Sequence, residues 1–172
     1  MMLWTAIQEF QSLIIGFLGF AGVIFTLRFN AQQAREQRRD ERHHEGETMR
    51  AALIAELKIN RESLERNIDK ANQASETQGV FVPTDTMDDA YRAFTHRIGL
   101  LSQAEVDKVM YAYLSLRTCK ANLFLIGAPP DTRDLHVQVP PKNVSKLSKL
   151  LGSLIGPIHE AIEVLESEHD PG

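Results

Sequence analysis

The sequence predicts an all-α chain: an N-terminal transmembrane helix, a charged helical stalk and a cytoplasmic helical bundle. Three observations predict it. Phe10 to Leu27, FQSLIIGFLGFAGVIFTL, is an apolar run with no charged side chain. From Asn30 to about Gln78 there is no proline and the only glycine is Gly46. Three further stretches repeat apolar side chains at three- and four-residue steps, the period of a helix with one buried face.

At ~1.5 Å of rise per residue the apolar run is about 27 Å long, enough to cross a hydrocarbon core of roughly 30 Å if Thr5 to Phe10 add a turn. Before it the only charged side chain is Glu9; after it come Arg28, Arg35, Arg38, Arg39 and Arg42. Basic residues flanking a span are retained on the cytoplasmic side. The expected topology is single-pass, N-terminus out and C-terminus in. A cleaved signal peptide would carry its positive charge ahead of the run, the reverse of this order. Within the run Ser12, Gly16, Gly19 and Val23 share one helix face, and small side chains there let two helix backbones approach, the basis for expecting self-association. The arginine flank is expected to set topology and to attract anionic lipid headgroups, with Glu36, Asp40 and Glu41 weakening that attraction.

The expected division is 1–29 as anchor, 30–50 as charged stalk, 51–168 as helical domain and 169–172 as tail. In the stalk, AREQRRDERHHEGE is charged all round, with Glu36 to Arg39 and Arg38 to Glu41 as weak surface pairs and a loosening expected at His44 to Gly46. Its continuation turns amphipathic: Leu53, Ile54, Leu57, Leu64, Ile68 and Ala71 form a stripe that Arg61 interrupts. GVFVP at residues 79–83 breaks the helix and should tuck two apolar side chains beneath it. A short helix follows, with Thr84 to Thr86 as candidate caps, Met87, Tyr91, Phe94 and Ile98 on one face, and Gly99 as a left-handed stop.

Ser102 to Glu105 has the capping-box pattern, in which the two side chains and backbones bond reciprocally. The helix it opens should bury Val106, Val109, Met110, Tyr113, Leu116, Leu123, Phe124 and Ile126 and close at Gly127. The loop 128–142 holds four of the seven prolines and one alternating extended segment at Leu135 to Val139, which Pro140 and Pro141 keep out of a sheet centre. A loop this long is a candidate partner contact. The last helix, from Asn143 or Val144 to about Glu166, presents Leu147, Leu150, Leu151, Leu154, Ile155, Ile158, Ile162 and Leu165, with a kink expected at Gly156-Pro157.

The chain has 172 residues and a formal charge of −4, from 19 basic and 23 acidic side chains. That balance excludes a dedicated nucleic-acid binder. A single cysteine, Cys119, rules out an intrachain disulfide and is expected to be a buried, inert thiol. No chemical signature is complete. His159-Glu160 has Glu163 where a zinc helix needs its second histidine, His43 and His44 are adjacent and point to different faces, and no phosphate-loop sequence occurs. The expectation is no enzyme, no cofactor and no metal. An enzyme would need His96, Tyr113, Arg117 or His136 converged in one polar pocket.

Leu53-Ile-Ala-Glu56-Leu57-Lys-Ile-Asn60-Arg-Glu-Ser-Leu64, with Arg97-Ile-Gly-Leu-Leu-Ser102 and Tyr113-Leu-Ser-Leu-Arg117, resembles a pattern of small bacterial single-pass inner-membrane proteins of uncharacterised function with a cytoplasmic helical domain. The resemblance implies an inner-membrane location and supplies no activity or site. The expected function is a membrane-tethered interaction or regulatory module, a homo-oligomer that engages the lipid bilayer and a cytoplasmic protein partner. The alternative is a membrane-disrupting effector, for example of a phage-defence system, acting through grouped spans.

Overall fold

The computed structural model describes residues 2–74, 79–128 and 136–167, with side chains described from residue 20 onward, residue 21 excepted. Among the described residues the chain is helical apart from one two-stranded ribbon. Helix α1 runs Met2–Gln73, followed by β1 (Val80–Pro83), α2 (Asp89–Phe94), a 3₁₀ segment Thr95–Leu100, α3 (Gln103–Ile126), β2 (His136–Val139), a 3₁₀ turn Pro141–Asn143 and α4 (Val144–Ser167). Two compact units result, Met1–His44 and Glu45–Gly172.

The first unit is a single stretch of α1. Among the described residues no helix is long and apolar enough to cross a membrane. Of the apolar run, residues 10–19 and 21 lie outside the described side chains, as do Ser12, Gly16 and Gly19 of the small face; Val23 is exposed.

The second unit is a three-helix bundle built from the end of α1, α3 and α4. Helix α1 is continuous through His44 to Gly46, so the expected loosening is absent, and Gly46 is buried. Packing begins at Met49, which is 1 % exposed. Leu53, Leu57, Leu64 and Ala71 continue the buried stripe, with Ile54 and Ile68 at its edge. Arg61 stays at the margin, its guanidinium 3.8 Å from Glu65. Two contacts per helix pair fix the directions: Arg50 meets Glu105 and Glu56 meets Tyr113; Lys58 meets Glu166 and Asn72 meets Ser148; Lys108 meets Glu160, and Asn143, just ahead of α4, meets Ile126. Helix α1 therefore runs parallel to α3, and both run antiparallel to α4.

Helix α3 opens with the expected capping box: the Glu105 amide donates to Ser102 Oγ, and the Ser102 amide donates to the Glu105 carboxylate. Its buried residues are Glu105, Val109, Ala112, Tyr113, Leu116, Cys119 and Leu123. Met110 and Phe124, expected inside, are exposed. An α-helix with apolar side chains on both sides has no single hydrophobic direction, and spacing alone cannot choose which side is covered. Helix α4 buries Leu147, Leu151, Leu154, Ile158, Ala161, Ile162 and Leu165, close to the expected stripe, and continues through Pro157 without a break.

The helix break at 79–83 and the extended segment expected at Leu135 to Val139 supply two strands that pair with each other. Val80 sits opposite Val139 and Pro83 opposite His136, antiparallel, with Val80, Val82, Val137 and Val139 all turned into the core. A four-residue strand with one apolar face is stable only against such a partner. The ribbon's edges accommodate the prolines, since Pro83 ends β1 and Pro140 follows β2. Gly79 is required by closeness: a Cβ there would stand 2.7 Å from the Val139 carbonyl oxygen.

The short helix differs from its expected form. Asp88, not Thr84 to Thr86, occupies the N-cap, and its side chain makes no cap bond. Gly99 does not adopt the left-handed conformation, because the chain passes through a 3₁₀ segment and leaves in an extended conformation at Leu101.

Candidate functional site

The missing cap of α2 is supplied from α1. Glu56, 5 % exposed, accepts from the Ala90 amide at 2.7 Å and the Tyr91 amide at 3.2 Å, two of the donors a helix start leaves unsatisfied. The Tyr113 hydroxyl donates to the same carboxyl at 2.5 Å. One turn on, Asn60 clamps Met87 from both sides: its amide nitrogen donates to the Met87 carbonyl at 2.7 Å and its oxygen accepts from the Met87 amide at 3.0 Å. The Tyr91 and Tyr113 rings stack with centroids 4.2 Å apart. Burial, then the bond to Glu56, pushes the Tyr113 hydroxyl far above its ordinary pKa. This network fixes residues 84–94 beside α3.

A second buried carboxylate sits near the other end of that junction. Glu105, fully buried, takes two bonds from the Arg50 guanidinium, at 2.5 and 3.1 Å, besides its role in the capping box. Burial on its own would raise its pKa; the Arg50 hydrogen bond, the Ser102 bonds and the Arg50 charge outweigh it and hold the carboxyl below its ordinary value.

Between residues 84–92 and the outward face of α3 lies an open groove of about 1040 Å³. Its walls carry Met87, Met110, Tyr111 and Leu114, all exposed, the last 62 % so. Charged groups rim it. Lys120 pairs with Asp85 at 3.1 Å and Arg92 with Asp88 at 2.8 Å. Asp89 and Arg117 also line the groove, and neither has an ion-pair partner among the described residues. Of the four residues an enzyme pocket would need, Tyr113 and Arg117 share this groove. His96 does not line it and accepts from the Arg97 guanidinium, and His136 lies on the ribbon. His159 pairs with Glu163, the residue in the second-histidine position, at 3.2 Å. Among the described residues no group of three or more His, Cys, Asp or Glu could hold a metal ion.

Cys119 is buried, and burial pushes its thiol up to about 11. It lines a cavity of about 30 Å³ with Asn60, Asn67 and Thr84. The sequence pointed to the thiol's burial but not to Glu56 or Asn60, whose partners lie 27 to 57 residues away.

In the first unit the arginines segregate. Arg35, Arg38, Arg39 and Arg42 flank an open space of about 270 Å³ on one face, and Arg28 lies seven residues before Arg35, on the same side. The expected pairs of Glu36 with Arg39 and Arg38 with Glu41 do not form. Gln32 donates to Glu36 at 3.1 Å and Gln37 to Glu41 at 3.3 Å instead. The segment is not charged alike all round: it has a basic stripe.

Of the expected loop contact at 128–142, residues 129–135 lie outside the described residues. Ala128 is bridged to Gln138, and the Asn143 side-chain Nδ2 caps α3 by donating to the Ile126 carbonyl at 2.7 Å. No protein-family model, curated protein or solved structure matches the chain, so no family of single-pass membrane proteins is identified by comparison.

Proposed function

We propose that the protein is a membrane-tethered interaction module: residues 10–27 anchor it in a bilayer, the arginine stripe holds the rest on the cytoplasmic side, and the helical domain engages a protein partner. The interaction reading rests on one observation, the apolar face of α3 left uncovered beside the groove, with Leu114 62 % and Leu125 83 % exposed. Exposed apolar surface gathered on one face is what partner sites carry. The tether reading is supported by eighteen consecutive uncharged residues followed by the arginines. No catalytic role is proposed.

The test has two arms. The intact chain should sediment with membranes and require detergent for release, and a reporter fused after Gly172 should be active only in the cytoplasm. Intact chain in a detergent-free supernatant, or a periplasmic signal, refutes the tether. For the interaction arm, a photocrosslinker at position 114 should give protein adducts that one at the exposed position Glu163 does not; equal labelling refutes it.

The second reading, a membrane-disrupting effector, is favoured by the small-residue face Ser12, Gly16, Gly19 and Val23. Overexpression with a membrane-potential dye separates the two. Rapid depolarisation abolished by Gly16→Leu and Gly19→Leu supports the effector, and an unperturbed membrane supports the module.

A further inference from the structure

We propose that the partner of the uncovered α3 face is the same face of a second copy of this chain. Met110, Leu114, Arg117, Ala121 and Phe124 follow one another at steps of four, three, four and three along α3, and all five are exposed. That is the spacing of a coiled-coil seam, which is covered by a like helix rather than by a flat surface. The opposite side of the same helix is already spent on the core, where Val109, Ala112, Leu116 and Cys119 are buried. Helix α3 thus carries two apolar faces, of which the described residues of its own chain cover one.

Charge selects the occupant. Arg117 stands at the centre of the seam, where a lone cation costs stability unless a carboxylate meets it. Asp89 lies on the facing wall of the same groove and likewise has no ion-pair partner among the described residues, whereas the neighbouring acids Asp85 and Asp88 are taken by Lys120 and Arg92. Among the described residues each copy therefore offers Arg117 in the seam and Asp89 beside it, neither of them in an ion pair. A two-fold contact matches both at once, Arg117 of either copy against Asp89 of the other, the reciprocal pattern of an isologous interface. This inference rests on the interaction reading and names its partner; it does not depend on the tether.

The experiment uses the full chain in native membranes and in detergent. Leu114→Cys with a short bifunctional maleimide should give a covalent species of twice the chain mass; Glu163→Cys should not. Cys119, buried, does not compete. Arg117→Asp should cut the cross-linked yield from Leu114→Cys at least fivefold, and adding Asp89→Arg should restore it. Circular dichroism reports that each surface variant is folded. The proposal is overturned if Leu114→Cys fails to cross-link in a folded chain, if Glu163→Cys cross-links equally, if the adduct has the mass of another protein, or if the charge exchange restores nothing. A dimer lost on Gly16→Leu and indifferent to Arg117→Asp overturns it too. Failure of the tether is read separately, from sedimentation.

Discussion

Residues 28–44 and 49–71 are stretches of one helix, yet they manage charge in opposite ways. In the first, acids are held by glutamines one turn earlier, Gln32 to Glu36 and Gln37 to Glu41, and the arginines on the other face have no ion-pair partners among the described residues. In the second, the polar groups reach across the fold: Arg50 to Glu105, Glu56 to Ala90, Tyr91 and Tyr113, and Asn60 to Met87. Interactions of the first kind contribute only tenths of a kcal/mol because water competes for every partner. Those of the second kind operate where water is excluded, so a lost partner leaves a group that nothing else can satisfy. The same residue types thus decorate one stretch and determine the packing of the other.

The sharpest way to break that comparison is Glu105→Ala, which removes the buried carboxylate that takes two bonds from Arg50 and closes the capping box. Urea unfolding should show a loss of about 3–5 kcal/mol, the usual cost of removing one member of a buried pair. A loss below about 1 kcal/mol would put this bridge in the same class as the exposed pairs. Leu57→Ala, at a fully buried position, should cost about 2–5 kcal/mol by the same measurement, because the bundle leaves a void where the side chain was. Glu56→Ala comes next: the two α2 amides and the Tyr113 hydroxyl lose their acceptor, for about 1–3 kcal/mol, and the tyrosines should gain solvent exposure detectable in near-ultraviolet circular dichroism.

Acid titration sharpens the same contrast. The Glu105 carboxyl is held below its ordinary value in the folded chain, so the unfolded chain binds its proton first as pH falls. The stabilisation is complete above the ordinary carboxylate value and is lost as pH drops through the lowered one. Glu105→Gln should therefore flatten the acid limb of stability against pH; an unchanged limb would assign it to other carboxylates. The smallest effect belongs to the exposed stretch. Arg38 and Arg42 stand four residues apart, so Arg38→Gln should change stability by less than about 0.5 kcal/mol, with a slight gain at low salt as like-charge repulsion is relieved.

What could be read from the sequence was whatever is local. The Ser102 and Glu105 box, the α4 stripe and the helix limits around Gly127 depend on neighbours a turn away, and they were found where expected. Pairing across the chain was not legible. Val80 to Pro83 and His136 to Val139 each alternate, but nothing in either names the other. Glu56 and Asn60 were invisible for the same reason, since a polar residue within an apolar stripe looks like its solvent edge until its acceptors and donors are known. Met110 and Phe124 were assigned to the wrong face because α3 is apolar on two sides, the property on which the proposed dimer rests. Gly99 resembled a helix stop, and the 3₁₀ segment it sits in needed no left-handed residue.

The ribbon has a kinetic corollary. One strand precedes α2 and the other follows α3, so its ladder bonds fasten the two ends of everything between. Such a clasp closes late, because the chain must surrender the freedom of the whole enclosed loop before the first rung forms. Its amides should gain protection in pulse-labelled hydrogen exchange after those of the α3 and α4 hairpin, and in the native state they should open together as one cooperative segment.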